Sequence, residues 1–271
     1  MIKIKTYQTI IIILLSCYSY AQQGQIEYIF TEPENKYTYK PTLKFNDSLA
    51  VFIYNRTGYD SPTTEGMSKR DDGGLHLKFA SGDNDGNQVF TDFKNKRIIF
   101  RRPKSKITEP YIVEDSWIEI KWEIKKQTKQ IGKYTVNKAV GEFRGREYTV
   151  WFTYDIPLPI GPWKLKGLPG AILEATDKEG LFQVKLVSVK YPSDCTEEIL
   201  VPKADKELTL KEHVYAIDNF DAILLKKIQS RLPKEMKGKL TLNKKSNEQK
   251  RKQKKEKTYE WETEAIDENK D

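Results

Sequence analysis

The run Tyr148-Thr149-Val150-Trp151-Phe152-Thr153 is followed by Gly161-Pro162-Trp163-Lys164-Leu165-Lys166-Gly167-Leu168-Pro169-Gly170, and then by Ala171 to Thr176. Tyr148, Val150 and Phe152 alternate with Thr149, Trp151 and Thr153, which is the period of a strand. Three Gly, two Pro and one Trp in the next ten residues fix the backbone far more than an ordinary loop requires. Leu168-Pro169-Gly170 suits a type II turn, with Pro at i+1 and Gly at i+2. Beyond it, Ala171 to Thr176 and Leu181 to Lys190 flank Asp177-Lys178-Glu179-Gly180, a hairpin connection with Gly last. The order strand, rigid corner, strand, hairpin, strand predicts an antiparallel sheet.

The same period recurs outward from this centre. Gln25 to Phe30 opens a strand. Leu49 to Tyr54 is apolar at every position, so that strand is expected to be covered on both faces. Leu75, Leu77 and Phe79 alternate with His76 and Lys78. Ile118, Ile120, Trp122 and Ile124 alternate with Trp117, Glu119, Lys121 and Glu123, which reads as the cleanest half-buried strand of the chain. One helix is expected near the end. Thr209 with Glu212 makes a capping box, Val214, Ile217, Leu224, Leu225 and Ile228 supply an apolar face, and Pro233 is the stop. The fold class is therefore mainly β: an antiparallel curved sheet or partly closed barrel with one C-terminal amphipathic helix.

The ends of the chain carry different information. Lys3 and Lys5, the apolar run Ile10 to Leu15 and Ser19-Tyr20-Ala21 read as a signal peptide over 1–21, cleaved before Gln22. The apolar run is shorter than the ~20 residues of a membrane-spanning helix. Leu14-Leu15-Ser16-Cys17 offers the less favoured alternative of a lipid anchor at Cys17. A single β-rich domain is expected over 22–243. The net charge of +8 is unevenly spread. Residues 244–257 hold eight Lys or Arg against Glu248 and Glu256, and 258–271 hold six acids against Lys270. Such blocks read as a charged, disordered tail over 244–271. Its basic half, with Tyr259 and Trp261, suits contact with an anionic membrane surface as the alternative to simple solvation. Nucleic acid is not an expected partner of an exported protein.

Chemistry-bearing constellations are few. His76 and His213 are the only histidines, and neither has a zinc-spaced partner. Asp83-Asn84-Asp85-Gly86-Asn87 resembles the start of a calcium loop but lacks the Gly and Glu at the required places, so an ordinary turn is the better reading. Cys195 has no nearby His, and no Gly-x-Ser-x-Gly elbow or phosphate-binding Gly pattern occurs. No cofactor is expected. The candidate site residues are those of Arg144-Gly145-Arg146, Trp151, Pro157 and the corner: Gly161, Pro162, Trp163, Lys164, Gly167, Leu168, Pro169 and Gly170. Two readings of the corner stand side by side. Trp163 and Leu168 plug one end of the barrel, or they form an exposed rim that docks a ligand or partner.

These residues resemble the GLPGLI family of exported Bacteroidota proteins. The naming motif reads Gly167-Leu168-Pro169-Gly170-Ala171-Ile172 here, with Ala171 in place of Leu. Tyr134, Lys138-Ala139, Phe143 to Arg146, Trp151-Phe152-Thr153, Ile156-Pro157, Gly161 to Lys164, Ile172-Leu173-Glu174 and Asp177 fit the pattern in order. The likeness extends over about 25–240, and Val136 stands where family members often carry Cys. The resemblance implies a signal peptide, a β-rich periplasmic or surface domain, and no assigned biochemical activity. It further implies an accessory role beside an outer-membrane TonB-dependent transporter or another envelope protein. The leading expectation is a non-enzymatic binding or accessory protein. The alternatives are a periplasmic carrier holding an apolar ligand such as a lipid in a groove lined by the Trp122 strand, and a hydrolase with an unrecognised carboxylate pair.

Overall fold

The structure, a computed structural model, describes residues 23–32, 37–56, 66–69, 75–78, 82–105, 108–193, 198–231, 251–252 and 254–262. Residues 1–21 with Cys17, Cys195 and Pro233 lie outside the described residues. The strands are β1 (Gly24–Glu32), β2 (Tyr37–Tyr39), β3 (Thr42–Phe45), β4 (Leu49–Tyr54), β5 (Gly66–Lys69), β6 (Leu75–Lys78), β7 (Asn87–Asp92), β8 (Arg97–Arg102), β9 (Tyr111–Asp115), β10 (Glu123–Ile131), β11 (Tyr134–Phe143), β12 (Arg146–Thr153), β13 (Ala171–Asp177), β14 (Gln183–Lys190) and β15 (Lys206–Leu208). Two helices follow, α1 (Leu210–Asp218) and α2 (Phe220–Arg231).

All strands but β5 and β6, which pair with each other, join one curved, non-closed sheet. Its order is β10-β11-β12-β13-β14-β1-β3-β4-β7-β8-β9-β15, with β2 beside β1. Every pairing is antiparallel except β9 with β15. The sheet is two meanders, β3 to β9 and β10 to β14, joined through β1, which pairs with β14 on one side and β3 on the other.

Alternation sets the core. Ile26, Tyr28 and Phe30 of β1 turn their side chains to the inner face and are fully buried. There they meet Phe52 and Tyr54 of β4, with Phe30 also packed on Phe182, ring centroids 5.0 Å apart. The Tyr28 hydroxyl donates to Ile172 O at 2.8 Å, so the ring is buried without stranding its polar tip. Ala50, Val51 and Phe52 are all buried, as a strand covered on both faces requires. The hairpin forms with a connection shifted to Lys178–Phe182, since β13 includes Asp177 and β14 begins at Gln183; within it Gly180 N–H donates to Asp177 O at 3.0 Å, and Gly180 takes φ +72°.

Two elements differ from their sequence reading. Residues 116–122 pair with no strand, and β10 begins only at Glu123. Their alternation records packing rather than a ladder. Ile120 and Trp122 lie against Gly141 of β11, where an added Cβ would meet the Trp122 ring at 2.6 Å, and Trp122 Nε1 donates to Lys166 O at 2.8 Å. The expected single helix is two. The capping box forms, with Glu212 N–H donating to Thr209 Oγ1 and Thr209 N–H to Glu212 Oε2. The backbone then leaves helical geometry at Asn219, with φ −101° and ψ 12°. Leu210, His213 and Val214 on α1 are buried. Among the described residues, no helix is long and apolar enough to cross a membrane.

Candidate functional site

The Gly/Pro corner is buried rather than displayed. Trp163 is 7% exposed and Leu168 2%. Trp163 sits at φ +57° and packs on Phe143, Tyr148 and Phe182, with centroids 5.6, 6.5 and 5.7 Å away. A left-handed Trp is costly for a residue with a Cβ, and this aromatic cage holds it there. Gly170 is required by close approach, because an added Cβ would stand 2.0 Å from Thr153 O. Its φ is not positive, so the type II turn read at Leu168-Pro169-Gly170 does not form; Gly167 carries the left-handed φ, at +95°. Pro157, Gly167 and Pro169 are exposed on the outside of the corner, whereas Gly161 and Pro162 are buried. The plug reading of the corner is the one this geometry fits.

Beside the corner, Arg144 and Gly145 make the two-residue loop between β11 and β12, at φ +44° and +74°. Positive φ at both central residues suits a right-twisted hairpin, and Gly145 adopts it without steric penalty. The loop projects Arg144 inward from one side of the hairpin while Arg146, first residue of β12, enters beside it. Arg144 donates to Asp115 Oδ1 at 2.7 Å and to Glu260 Oε1 at 2.9 Å, and it also grips Glu256. Lys164, from the corner, reaches Asp115 Oδ2 at 2.5 Å and Glu256 Oε1 at 2.8 Å. Arg146, fully buried, pairs with Asp177 and with Glu179 at 2.9 Å. Arg144, Arg146, Trp163 and Lys164 thus converge. Trp151 does not join them: it lies on the outer face under Lys129, 4.5 Å from the ring.

The site also contains groups not singled out from the sequence. Asp115 ends β9, and Tyr111, Val113 and Asp115 share one face by parity, which is the signal that marks an inward acid. Glu256 and Glu260 come from the C-terminal segment, with Tyr259, which the sequence offered for contact with an anionic surface and which is buried here. Residues 254–262 are not the solvated tail expected from their composition. Arg146 donates to Lys254 O and Lys252 O, both at 2.6 Å, and Tyr148 Oη to Lys255 O at 3.1 Å. The N–H groups of Lys257 and Thr258 donate to Arg144 O at 2.9 and 3.3 Å. The basic side chains are neutralised by body acids: Arg251 and Lys254 by Asp218, Lys255 by Glu32, and Lys257 by Glu179.

Electrostatics follow from this pairing. Burial pushes the Asp115 carboxyl up, but Lys164 and Arg144 outweigh it and hold the group at about 2. Burial opposes the charge on Arg144, and Glu256 and Asp115 overcome it, so its pKa is raised. Burial pushes His213 down to about 2; its Nδ1 lies 3.0 Å from Tyr111 Oη. Lys166, whose ammonium donates to Ile118 O at 2.6 Å and lies 4.1 Å from the Trp117 ring, is brought down to about 8 by burial. In the Asp83 turn, Gly86 N–H donates to Asp83 Oδ1, and Arg101 takes both carboxylate oxygens at 2.8 Å, leaving a structural ion pair where a calcium loop would need open oxygens.

Under the C-terminal segment lies a cavity of ≈ 260 Å³, lined among others by Asn87, Phe100, Arg102, Phe182, His213 and Lys255. Asn87 is 6% exposed, and its Oδ1 has no hydrogen-bond partner there. Trp122, read from the sequence as lining a lipid groove, packs on Gly141 and donates to Lys166 O.

No family model and no curated protein matches the chain. Among solved structures it is similar to PNGF-II in its P21 and C2 crystal forms, at 16% and 17% identity and a TM-score of 0.48 in both. Those matches cover 71% and 75% of this chain, which spans about a third of the length of PNGF-II, 32% and 33%. An uncharacterized conserved protein from Thermus thermophilus matches at 11% identity and TM-score 0.38, over 69% of this chain and 90% of that one. Likenesses this distant carry nothing about function.

Proposed function

We propose that the chain is an exported envelope protein of the GLPGLI type that acts by binding rather than by catalysis, with the concave face of the sheet as its binding surface. One observation carries this reading. The ionisable groups that meet on that face are engaged in holding a chain segment over a cavity of mixed polar and apolar lining. A general base needs a pKa near the working pH and a path to substrate. Asp115 instead lies near 2 beneath two cations, and Arg144 and Lys164 are each shared between acids. The partner suggested by the resemblance is an outer-membrane TonB-dependent transporter.

The carrier alternative has less support. Tyr28, Phe30, Phe52 and Phe152 fill the concavity, and the space left, ≈ 260 Å³, sets Arg101, Arg102, Lys164 and Lys255 among Phe100, Phe182 and Ile217, so an apolar ligand there would bury four cations. Contact of the tail with an anionic surface is also weakened, since Arg251, Lys254, Lys255 and Lys257 are engaged internally.

The test is affinity capture of the tagged protein from its native, detergent-solubilised membranes, with proteins and lipids identified by mass spectrometry. Stoichiometric recovery of an outer-membrane transporter, diminished by cavity-filling Asn87→Leu in a chain of unchanged melting temperature, is the expected result. Recovery of lipid without protein would replace this reading with the carrier, and an empty capture would remove the transporter.

A further inference from the structure

The way Lys252 and residues 254–262 are held is the way a protein holds a peptide ligand. Among the described residues they add no strand to the sheet. Their backbone is received by side chains and by one turn: the Arg146 guanidinium takes the carbonyls of Lys252 and Lys254, the Tyr148 hydroxyl takes that of Lys255, and the Arg144 carbonyl accepts from the N–H groups of Lys257 and Thr258. These contacts are made to the backbone and do not read sequence. Identity is read at two places. The Glu256 carboxylate sits between Arg144 and Lys164, and three residues on Tyr259 is buried at 6% exposure with the Arg144 guanidinium 5.0 Å from its ring. A segment that were simply core would be expected to close the interior. This one lies over the ≈ 260 Å³ cavity, whose lining includes the buried Asn87 with an Oδ1 that has no hydrogen-bond partner.

We infer that the concave site is a peptide-binding cleft whose resident occupant is the chain's own C-terminal segment, and that the cleft accepts in trans a peptide of a partner protein bearing an acid followed three residues later by an aromatic ring. This deepens the binding reading above and rests on it. The partner peptide takes the place of Lys252–Glu262, its carboxylate enters the Arg144–Lys164 clamp, and a donor-bearing side chain reaches Asn87. The resident segment is a competitor. Tethering gives it an effective concentration on the order of millimolar, so the closed chain binds a free peptide weakly until the segment is released.

The experiment uses the full-length chain with Glu256→Lys, which sets a third cation against Arg144 and Lys164 and releases the segment. The probe is a fluorescent synthetic peptide with the sequence of residues 251–262. The Glu256→Lys chain is expected to bind it at least about tenfold more tightly than the wild-type chain does, because the internal competitor is gone. The same peptide carrying Glu256→Lys is expected to bind neither. A Glu256→Lys chain with native near-ultraviolet circular dichroism and a cooperative melt that binds the probe no better than wild type overturns the inference. Should that variant fail to fold, a protease site inserted between residues 243 and 250 and cut in the folded wild-type chain decides the matter. Exchange of the labelled peptide into the cut protein supports the cleft, and failure to exchange overturns it. Wild-type dimers formed by reciprocal exchange of the segment at micromolar concentration would make the occupant a second copy and overturn the partner assignment. Peptide binding together with an empty membrane capture would remove the transporter and leave the cleft standing.

Discussion

Replacing Asp115 by Asn removes the more deeply buried of the two carboxylates that Arg144 and Lys164 share, held at 2.7 and 2.5 Å, with no loss of volume. The Asp115 side chain is 1% exposed and those of its partners 2% and 3%, so solvent cannot take over its role. Two lines of arithmetic give the cost. The pKa falls from 3.8 to about 2 on folding. At about 1.4 kcal/mol per unit, that drop is on the order of 2–3 kcal/mol of stability at neutral pH. Breaking a buried pair by removing one partner costs about 3–5 kcal/mol. The low end applies here, because Arg144 keeps Glu256 and Glu260, and Lys164 keeps Glu256. Both lines meet near ~3 kcal/mol, which lowers the melting temperature of a domain this size by about 6–12 °C. The sign of the pH dependence is fixed by the depressed carboxylate. Its contribution is present above the unfolded value and lost as pH falls through the folded one, from roughly pH 5 to pH 2. Melting curves of wild type and Asp115→Asn at several pH values read both effects. The variant is expected to start lower at pH 7 and to lose less between pH 5 and pH 2. A variant that melts within about a degree of wild type at pH 7, or that keeps the wild-type acid profile, would rule out Asp115 as a stabilising buried charge.

Three further outcomes follow from the same geometry. Gly170→Ala places a Cβ 2.0 Å from the Thr153 carbonyl oxygen, whereas at Gly167, at φ +95°, an added Cβ meets nothing within 4 Å. The first substitution is expected to abolish cooperative folding and the second to cost only about 1–3 kcal/mol of backbone strain, read by circular dichroism melts. Trp163→Ala and Leu168→Ala are each expected to destabilise by about 2–5 kcal/mol, as core truncations do, and chemical denaturation with near-wild-type midpoints would restore the exposed-rim reading. His213 is held neutral by burial down to about pH 2, against 6.5 in the unfolded chain. Its ring resonances are expected not to titrate between pH 8 and pH 4, and its contribution to stability to fade as pH drops below about 6.5. A proton-detected titration with a midpoint above pH 5 would contradict that environment.

What the chain discloses in its order of residues is what depends on neighbours. The hairpin around Gly180, the Thr209–Glu212 capping box and the two-faced Leu49–Tyr54 strand rest on spacings of a few residues, and each forms. The Trp117–Ile124 alternation misleads for a definable reason. Period two reports that side chains go to opposite sides, not that the backbone has a ladder partner, and there the partners are a corner carbonyl and the Gly141 surface. The charged cluster lies further out of reach. Asp115, Arg144, Lys164 and Glu256 come from a strand end, a hairpin loop, the corner and the C-terminal segment, and only the sheet order brings them together. Composition points the wrong way for that segment, because a run of Lys and Glu reads as solvated when its counter-charges, Glu32, Glu179 and Asp218, are distant in the chain.

The behaviour of Arg146 joins the fold to the inference drawn from it. Its side chain is fully buried, and an unpaired guanidinium there would cost several kcal/mol. Asp177 and Glu179 satisfy one edge, while among the described residues Nε and Nη2 donate to the carbonyls of Lys254 and Lys252. With the segment gone, that edge must find water or another backbone. A folded chain that leaves two guanidinium donors to be completed by a peptide carbonyl is one whose inner face is chemically unfinished without a peptide. The hydrophobic packing of the sheet does not supply that peptide; the resident segment does, and a competing partner can.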